Sequence, residues 1–248
     1  MKATVYSTEG KALKQIDLPA VFESPRRDDL VKRAVLSEES RMYQPKGNYK
    51  FAGLETSARY RGRKEDFGAV KNKGIPHLPH EVQPKGQLGK VKRVPHAVKG
   101  RRAHPPKVEK KLVEKINKKE YLKALASALS FSADKDAVSK RAHSEFAISL
   151  PVVLDKGFER LAKAKDVAKV LEALKLMGFI DKAKRNKTRS ALIVVSSAAS
   201  VKAGANIAGV DVVKASELKV RHLAPGTHPG RLTLYTEDAL PELAKRFA

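Results

Sequence analysis

The chain has 248 residues and a formal net charge of +24, with 51 Lys and Arg against 27 Asp and Glu. An apolar fraction of 42% is enough to bury a core, so this is no disordered basic tail, and such a charge needs a polyanion beside it. No cysteine is present, which excludes disulfides, Cys-ligated zinc and thiol catalysis, and no apolar run resembles a signal peptide or a spanning helix.

Those features point to a soluble intracellular protein whose partner is nucleic acid rather than a membrane surface. Along the chain, residues 2–6 alternate as a first strand. After the Ser24-Pro25 turn, Asp28, Asp29 and Leu30 open a helix that runs to about Ser40, with Leu30, Ala34 and Val35 on its apolar face. Asp28-Asp29 reads as a helix start and Glu38-Glu39 as a solvated face. A second helix is predicted from about Asn117 to Ala133, with Leu122, Leu125 and Leu129 on one side. A third is predicted from Asp166 to Met177, where Val167, Val170, Leu171, Leu174 and Met177 form a stripe, Asp166 is the N-cap and Gly178 the stop.

The runs 152–154, 191–195, 210–213 and 232–235 are rich in β-branched residues and read as strands buried on both faces. A last helix is predicted from about Glu237 to Phe247. Strands alternating with helices predict an α/β fold: a mainly parallel sheet flanked by helices, a Rossmann-like three-layer body. It is read as one domain over residues 1–248, with residues 44–108 inserted as a long, basic, extended loop.

That segment is unlike the rest. It holds seven of the 13 prolines, eight of the 15 glycines, and 16 Lys and Arg against four Asp and Glu. Its apolar residues follow neither a period of 2 nor one of 3.6. Tyr49, Phe51, Tyr60 and Phe67 sit among the charges, where aromatic rings could stack on bases. Two readings compete: a solvated, disordered insertion, or a loop tethered at both ends that folds against nucleic acid.

Signatures of chemistry are weak. Gly204 to Gly209 lacks the spacing of a dinucleotide-binding turn, and Gly86-Gln87-Leu88-Gly89-Lys90 is short for a phosphate-binding loop; both read as turns. His77 and His80 have no third ligand in sequence, so neither a metal nor a cofactor is expected. His104 reads as an RNA or solvent contact, and Ser196, Ser197 and Ser200 show no nucleophile pattern. No enzyme is expected.

The run from Lys92 through Arg93, Lys99, Arg101, Arg102 and His104 to Lys107 resembles the end of the internal loop of the large-subunit ribosomal protein four family, in its archaeal and eukaryotic branch. Val21 to Leu30, Phe51-Ala52-Gly53-Leu54, Asn206 to Val210, Leu223 to Gly226 and Pro229 to Thr233 match in the expected order, so the resemblance spans essentially the whole chain. It implies a structural constituent of the large subunit in cytoplasmic ribosomes, binding rRNA through body and loop and assisting early assembly. The loop tip would help form the exit-tunnel wall. Implied partners are large-subunit rRNA, neighbouring ribosomal proteins and, at the tip, the nascent polypeptide; no membrane and no homo-oligomer are expected.

Candidate rRNA contacts are Lys46, Tyr49, Lys50 and Tyr60, with Arg59, Arg61, Arg63 and Lys64 towards the tip. Beyond them come Lys71, Lys73, Lys85 and Lys90, then Lys92, Arg93, Lys99, Arg101, Arg102, His104 and Lys107 on the return. Tunnel-lining candidates are Arg61, Gly62, Arg63, Lys64, Phe67, Lys71 and Lys73, although Glu65-Asp66 and the stiff Ile75 to His80 run depart from the Gly/Arg-rich tip of the family. The residues alone leave two alternatives: a chromosomal or general RNA-binding protein, and an α/β enzyme acting on a nucleotide or polynucleotide.

Overall fold

The computed structural model describes residues 1–196 and 204–247. Ser197 and Ser200 lie outside them. Contacts divide the chain into two units, residues 1–42 with 113–248, and residues 43–112.

The first unit begins with β1 (Lys2–Tyr6), β2 (Ala12–Asp17) and α1 (Asp28–Ser40). The second unit contains β3 (His80–Val82) and β4 (Leu88–Val91). The first then resumes with α2 (Lys118–Ala133), α3 (Lys135–Ala142), β5 (Val152–Leu154), α4 (Ala164–Ala173), α5 (Met177–Arg185), β6 (Leu192–Val195), β7 (Asp211–Lys214), α6 (Val220–Leu223), β8 (Thr233–Thr236) and α7 (Ala239–Lys245).

Six strands form one sheet in the order β2-β1-β5-β8-β6-β7, parallel throughout except for the β1–β2 hairpin. Side chains alternate between its two faces, as a pleated strand requires. Val153, Leu192, Val194 and Tyr235 pack with α1, α2, α6 and α7 on one face. Val152, Leu154, Ile193, Val195 and Leu234 pack with α3, α4 and α5 on the other. Both faces are covered, so β5 and β6 are apolar at every position, while β8 sets Leu234 and Tyr235 between the buried Thr233 and Thr236. This is the three-layer α/β body that the alternation of elements predicts.

The sequence reading needs correction at several elements. β2 was not foreseen: five of its six residues are exposed, so no apolar alternation marks it, and it makes the sheet mixed. α3 was also missed; the Asp134 side chain accepts a hydrogen bond from the Asp136 amide and restarts the helix after α2. β7 lies at the sheet edge and is half-buried rather than buried on both faces. Leu122 points away from the stripe of α2, 38% exposed. The last helix is shorter than expected, Ala239–Lys245.

The single helix expected over 166–177 is two. Lys175 adopts a left-handed conformation (φ 56°), the Leu176 amide donates to the Leu171 carbonyl at 2.9 Å and the Lys175 amide to that of Glu172 at 2.8 Å. That pair of bonds is a Schellman closure, and it turns Leu174 and Leu176 into the core. Burial of these two leucines offsets the roughly 1–2 kcal/mol cost of a left-handed Lys. Gly178 lies inside α5 rather than after it, and Asp166 sits in the first turn of α4, whose N-cap is Lys163.

The acidic pair on α1 also departs from expectation. Glu38 is no solvated group. Its two carboxylate oxygens accept hydrogen bonds from the Val220 and Arg221 amides at 3.1 Å each, and the Tyr121 hydroxyl donates to it at 2.5 Å. The carboxylate therefore holds the first amides of α6, where a negative charge is favoured.

Candidate nucleic-acid interface

The second unit is built from turns, with little apolar mass. Its interior consists of Ala58, Ala69, Val70 and His80. β3 and β4 pair antiparallel around a Pro84–Gly86 turn in which Lys85 and Gly86 both take positive φ. The outgoing chain joins them through a bridge between Arg59 and His80, and the Val70 amide donates to the Arg61 carbonyl at 3.1 Å. The strands are three and four residues long, too short to reveal a period of 2 in sequence.

His80 is the buried polar centre of this unit. Its Nδ1 lies 3.0 Å from the Gly89 carbonyl oxygen and its Nε2 lies 3.1 Å from that of Pro76. Both ring nitrogens thus face backbone carbonyl oxygens. Among the described residues no group of three or more His, Cys, Asp or Glu is placed to hold a metal ion.

The two arms of the unit cross at glycines. A Cβ on Gly53 (φ 75°) would lie 2.5 Å from the Gly100 carbonyl oxygen, and one on Gly47 would lie 2.8 Å from Val108. Near this end, a cleft of about 1360 Å³ is lined by Tyr43, Lys46, Arg102, His104, Lys107 and Lys110 among others. Lys110 and Tyr43 were not among the sequence candidates. The Lys110-Lys111 pair is the signal in the sequence that extends the basic segment past residue 108.

Lys46, Lys50, Arg59, Arg63, Lys64, Lys71, Lys73, Lys85, Lys90, Lys99, Arg101, Arg102, His104 and Lys107 are exposed; Arg61, Lys92 and Arg93 are half-buried. Arg93 donates to the Ala58 carbonyl at 3.1 Å, so part of its guanidinium serves the unit's own interior. Arg61 Nη1 is buried with no hydrogen-bond partner. Of the tunnel candidates, Arg63, Lys64, Phe67, Lys71 and Lys73 are exposed, while Gly62 is half-buried and lets the Tyr60 ring fold over it.

Aromatic rings separate by unit. Tyr43, Tyr49, Phe51, Tyr60 and Phe67 are between 48% and 70% exposed. The nine aromatic residues of the first unit are buried or half-buried. Tyr49 and Phe51 meet edge to face at 5.8 Å, and the Lys50 ammonium lies 5.8 Å from the Phe51 ring centre. Tyr60 and His77 lie side by side, 6.4 Å between centres. Flat rings held in water beside guanidinium and ammonium groups suit stacking on bases with phosphate contacts around them.

At the carboxyl ends of the strands, where α/β folds commonly hold nucleotides, Glu159 is tied into the framework. It accepts from the Ser196 amide at 2.8 Å, from the Ser196 hydroxyl at 3.0 Å and from the Thr236 hydroxyl at 2.6 Å. Among the described residues no helix is long and apolar enough to cross a membrane.

Large ribosomal subunit protein uL4 of Methanocaldococcus jannaschii is 42% identical over the whole of both chains. Its counterpart in Methanococcus maripaludis is 45% identical, again over both whole chains. That of Haloarcula marismortui is 40% identical over 99% of this chain and all of the relative. The family model described as the Ribosomal protein L4/L1 family matches residues 16–246, and the chain belongs to that family, a group of non-enzymatic ribosomal proteins.

Proposed function

We propose that this chain is a structural component of the large ribosomal subunit that binds rRNA chiefly through residues 43–112 and works in the cytoplasmic ribosome. The observation that carries the reading is the partition of the rings: all five exposed aromatics share one segment with fifteen exposed Lys and Arg. A side chain that only packs a core is buried. These rings are held in water, where stacking on nucleobases would cover them.

Phosphate contacts from the exposed Lys and Arg fix position, with Arg able to make bidentate pairs. Specificity comes from RNA shape and from splayed bases on Tyr49, Phe51, Tyr60 and Phe67. The neighbours are rRNA and other large-subunit proteins. The resemblance and the exposure of Arg63, Lys64, Phe67, Lys71 and Lys73 support a place for this bend in the exit-tunnel wall, beside the nascent chain.

The test is the salt dependence of binding to large-subunit rRNA. With about ten phosphate contacts, log K against log salt falls with a slope of roughly −7 to −9. Changing Lys99, Arg101, Arg102 and Lys107 to Gln reduces that magnitude by about 3. An unchanged slope rules the segment out as the binding element, and equal affinity for duplex DNA replaces the ribosomal reading with a general polyanion binder. For the tunnel, a photo-crosslinker at Phe67 in translating ribosomes labels the nascent chain; labelling of rRNA alone removes the tip from the lumen.

A further inference from the structure

A groove of about 540 Å³ opens on the first unit between α1, α2 and α6. Its floor is mostly carbon, from Met42, Ile116, Tyr121 and Leu122. Met42 is 65% exposed and Leu122 38%, so apolar surface is left in water here. One wall is fixed by a reciprocal pair of bonds. The Ser37 hydroxyl donates to the Glu114 carbonyl at 2.6 Å, and the Ser40 hydroxyl accepts from the Glu114 amide at 3.0 Å. These pin the segment leading to Ile116 against α1, and the groove has the volume of a small-ligand site.

The rim is cationic. Arg41, Lys118, Lys219 and Arg221 line it against one carboxylate, that of Glu38. Glu38 is already consumed by the Val220 and Arg221 amides and the Tyr121 hydroxyl. Arg221 is poorly satisfied: its Nη1 donates to the Met42 sulfur, a weak acceptor, and its Nε is buried without a hydrogen-bond partner. A carboxylate that displaces the exposed Met42 side chain would give this guanidinium a strong acceptor.

We propose that this groove docks an acidic amphipathic helix of another protein, its apolar side chains on Met42, Ile116 and Leu122 and its Asp or Glu side chains on the cationic rim. Nucleic acid fits less well. Tyr121 is half-buried with its hydroxyl bonded to Glu38, so the groove offers no free ring for a base, whereas its aliphatic floor asks for an apolar partner. Opposite charge across the rim orients such a helix. The site lies wholly within the first unit and is independent of the RNA-binding reading of residues 43–112.

The experiment is fluorescence anisotropy of the full chain with a labelled peptide of about 15 residues that sets Leu on one helix face and Glu on the other. Lys118→Glu with Lys219→Glu weakens binding roughly tenfold. Both residues are exposed and stand at helix starts, where an acidic side chain is tolerated, so the melting temperature holds. Leu122→Ser, also at an exposed position, weakens binding several-fold. Unchanged affinity in either variant overturns the site. So does equal binding of a peptide whose leucines are changed to Ser, which reduces the contact to charge alone. Binding abolished by changing Lys99, Arg101, Arg102 and Lys107 to Gln moves the peptide to residues 43–112 and overturns it too. An oligouridylate that displaces the peptide, and is itself weakened by the Lys118 and Lys219 changes, assigns the groove to nucleic acid and likewise overturns the proposal.

Discussion

Gly53 and Gly100 meet backbone to backbone: a side chain on Gly53 would begin 2.5 Å from the Gly100 carbonyl oxygen, and Gly53 itself stands at φ 75°. Two independent demands, a left-handed conformation and a contact with no room for Cβ, fall on one residue. Gly53→Ala therefore forces the outgoing and returning arms of the second unit apart, while the sheet of the first is untouched. We expect the variant to keep a melting temperature within about 2 °C of the parent, as for a change outside the core, and to be lost from large subunits in a high-salt co-sedimentation assay. Full retention would show that the crossing does not shape the interface.

Arg231 and Asp211 give a different kind of prediction. Arg231 is 1% exposed, lies 2.7 Å from Asp211 and donates to three carbonyls, those of Ser190 and Ala191 just before β6 and that of His222 in α6. Arg231→Leu takes the guanidinium donor from the Ser190, Ala191 and His222 carbonyls and leaves Asp211 with only the more distant Arg189, at 3.8 Å. The expected loss is roughly 3–5 kcal/mol, a fall in melting temperature on the order of 10 °C for a body of this size. Asp211→Asn, at a half-exposed position, costs less. Equal losses from both variants would contradict the view that the buried guanidinium dominates.

His222 makes stability depend on pH. Burial, reinforced by Arg221, lowers the ring to about 4, and its Nδ1 accepts from the Lys219 amide at 3.2 Å. Between pH 6.5 and 4 the unfolded chain takes up a proton that the folded ring refuses. Stability from this group is therefore full above pH 6.5 and is lost as pH falls toward 4. Because the ring is partly solvated, screening reduces the effect to about 1 kcal/mol. Urea titrations at pH 7 and pH 4.5 measure it, and His222→Gln should flatten the difference; an unaltered pH dependence would assign it to carboxylates instead.

Lys175 closes α4 in a conformation that glycine adopts at no steric cost (φ 56°). Lys175→Gly should stabilise the protein by about 0.5–1 kcal/mol, the relief of left-handed strain outweighing the greater freedom of the unfolded chain. Thermal unfolding decides this, and destabilisation would mean that the lysine stem contributes packing.

Hydrogen exchange should separate the units in the free protein. The second unit has four buried residues and short strands, so its amides should exchange within minutes, while those of β5, β6 and β8 are protected to the global limit. Uniform protection through residues 44–108 would show that this unit is ordered without RNA.

Periodicity made the body legible. β5 and β6 are covered on both sides and so read as continuous apolar runs, β8 shows itself by its β-branched residues, and the stripe of Val167, Val170 and Leu171 marks α4. Charge and composition marked the 44–108 segment, and the spacing of its basic residues with glycine and proline carried the family likeness. Short-range chemistry determined these features, so they survive in a string of letters.

Tertiary structure decided the rest. β2 is polar because an edge strand needs backbone partners and no apolar face, so its pairing with β1 cannot be seen in residues 12–17. Glu38 looks like any solvated acid until α6, 182 positions away, brings its first amides to the carboxylate. Arg231 reads as one more cation in a basic chain, and only the convergence of Ser190, Ala191, Asp211 and His222 makes it the buried clamp of the sheet. Arg93 and Lys99 carry the same charge in sequence, yet one is half-buried and bonded to Ala58 while the other faces water. The sequence by itself determined which residues carry charge, rings and apolar surface; long-range contacts decided which of them the fold consumes and which it leaves for a partner, because burial and hydrogen-bond satisfaction depend on chain segments far apart in order.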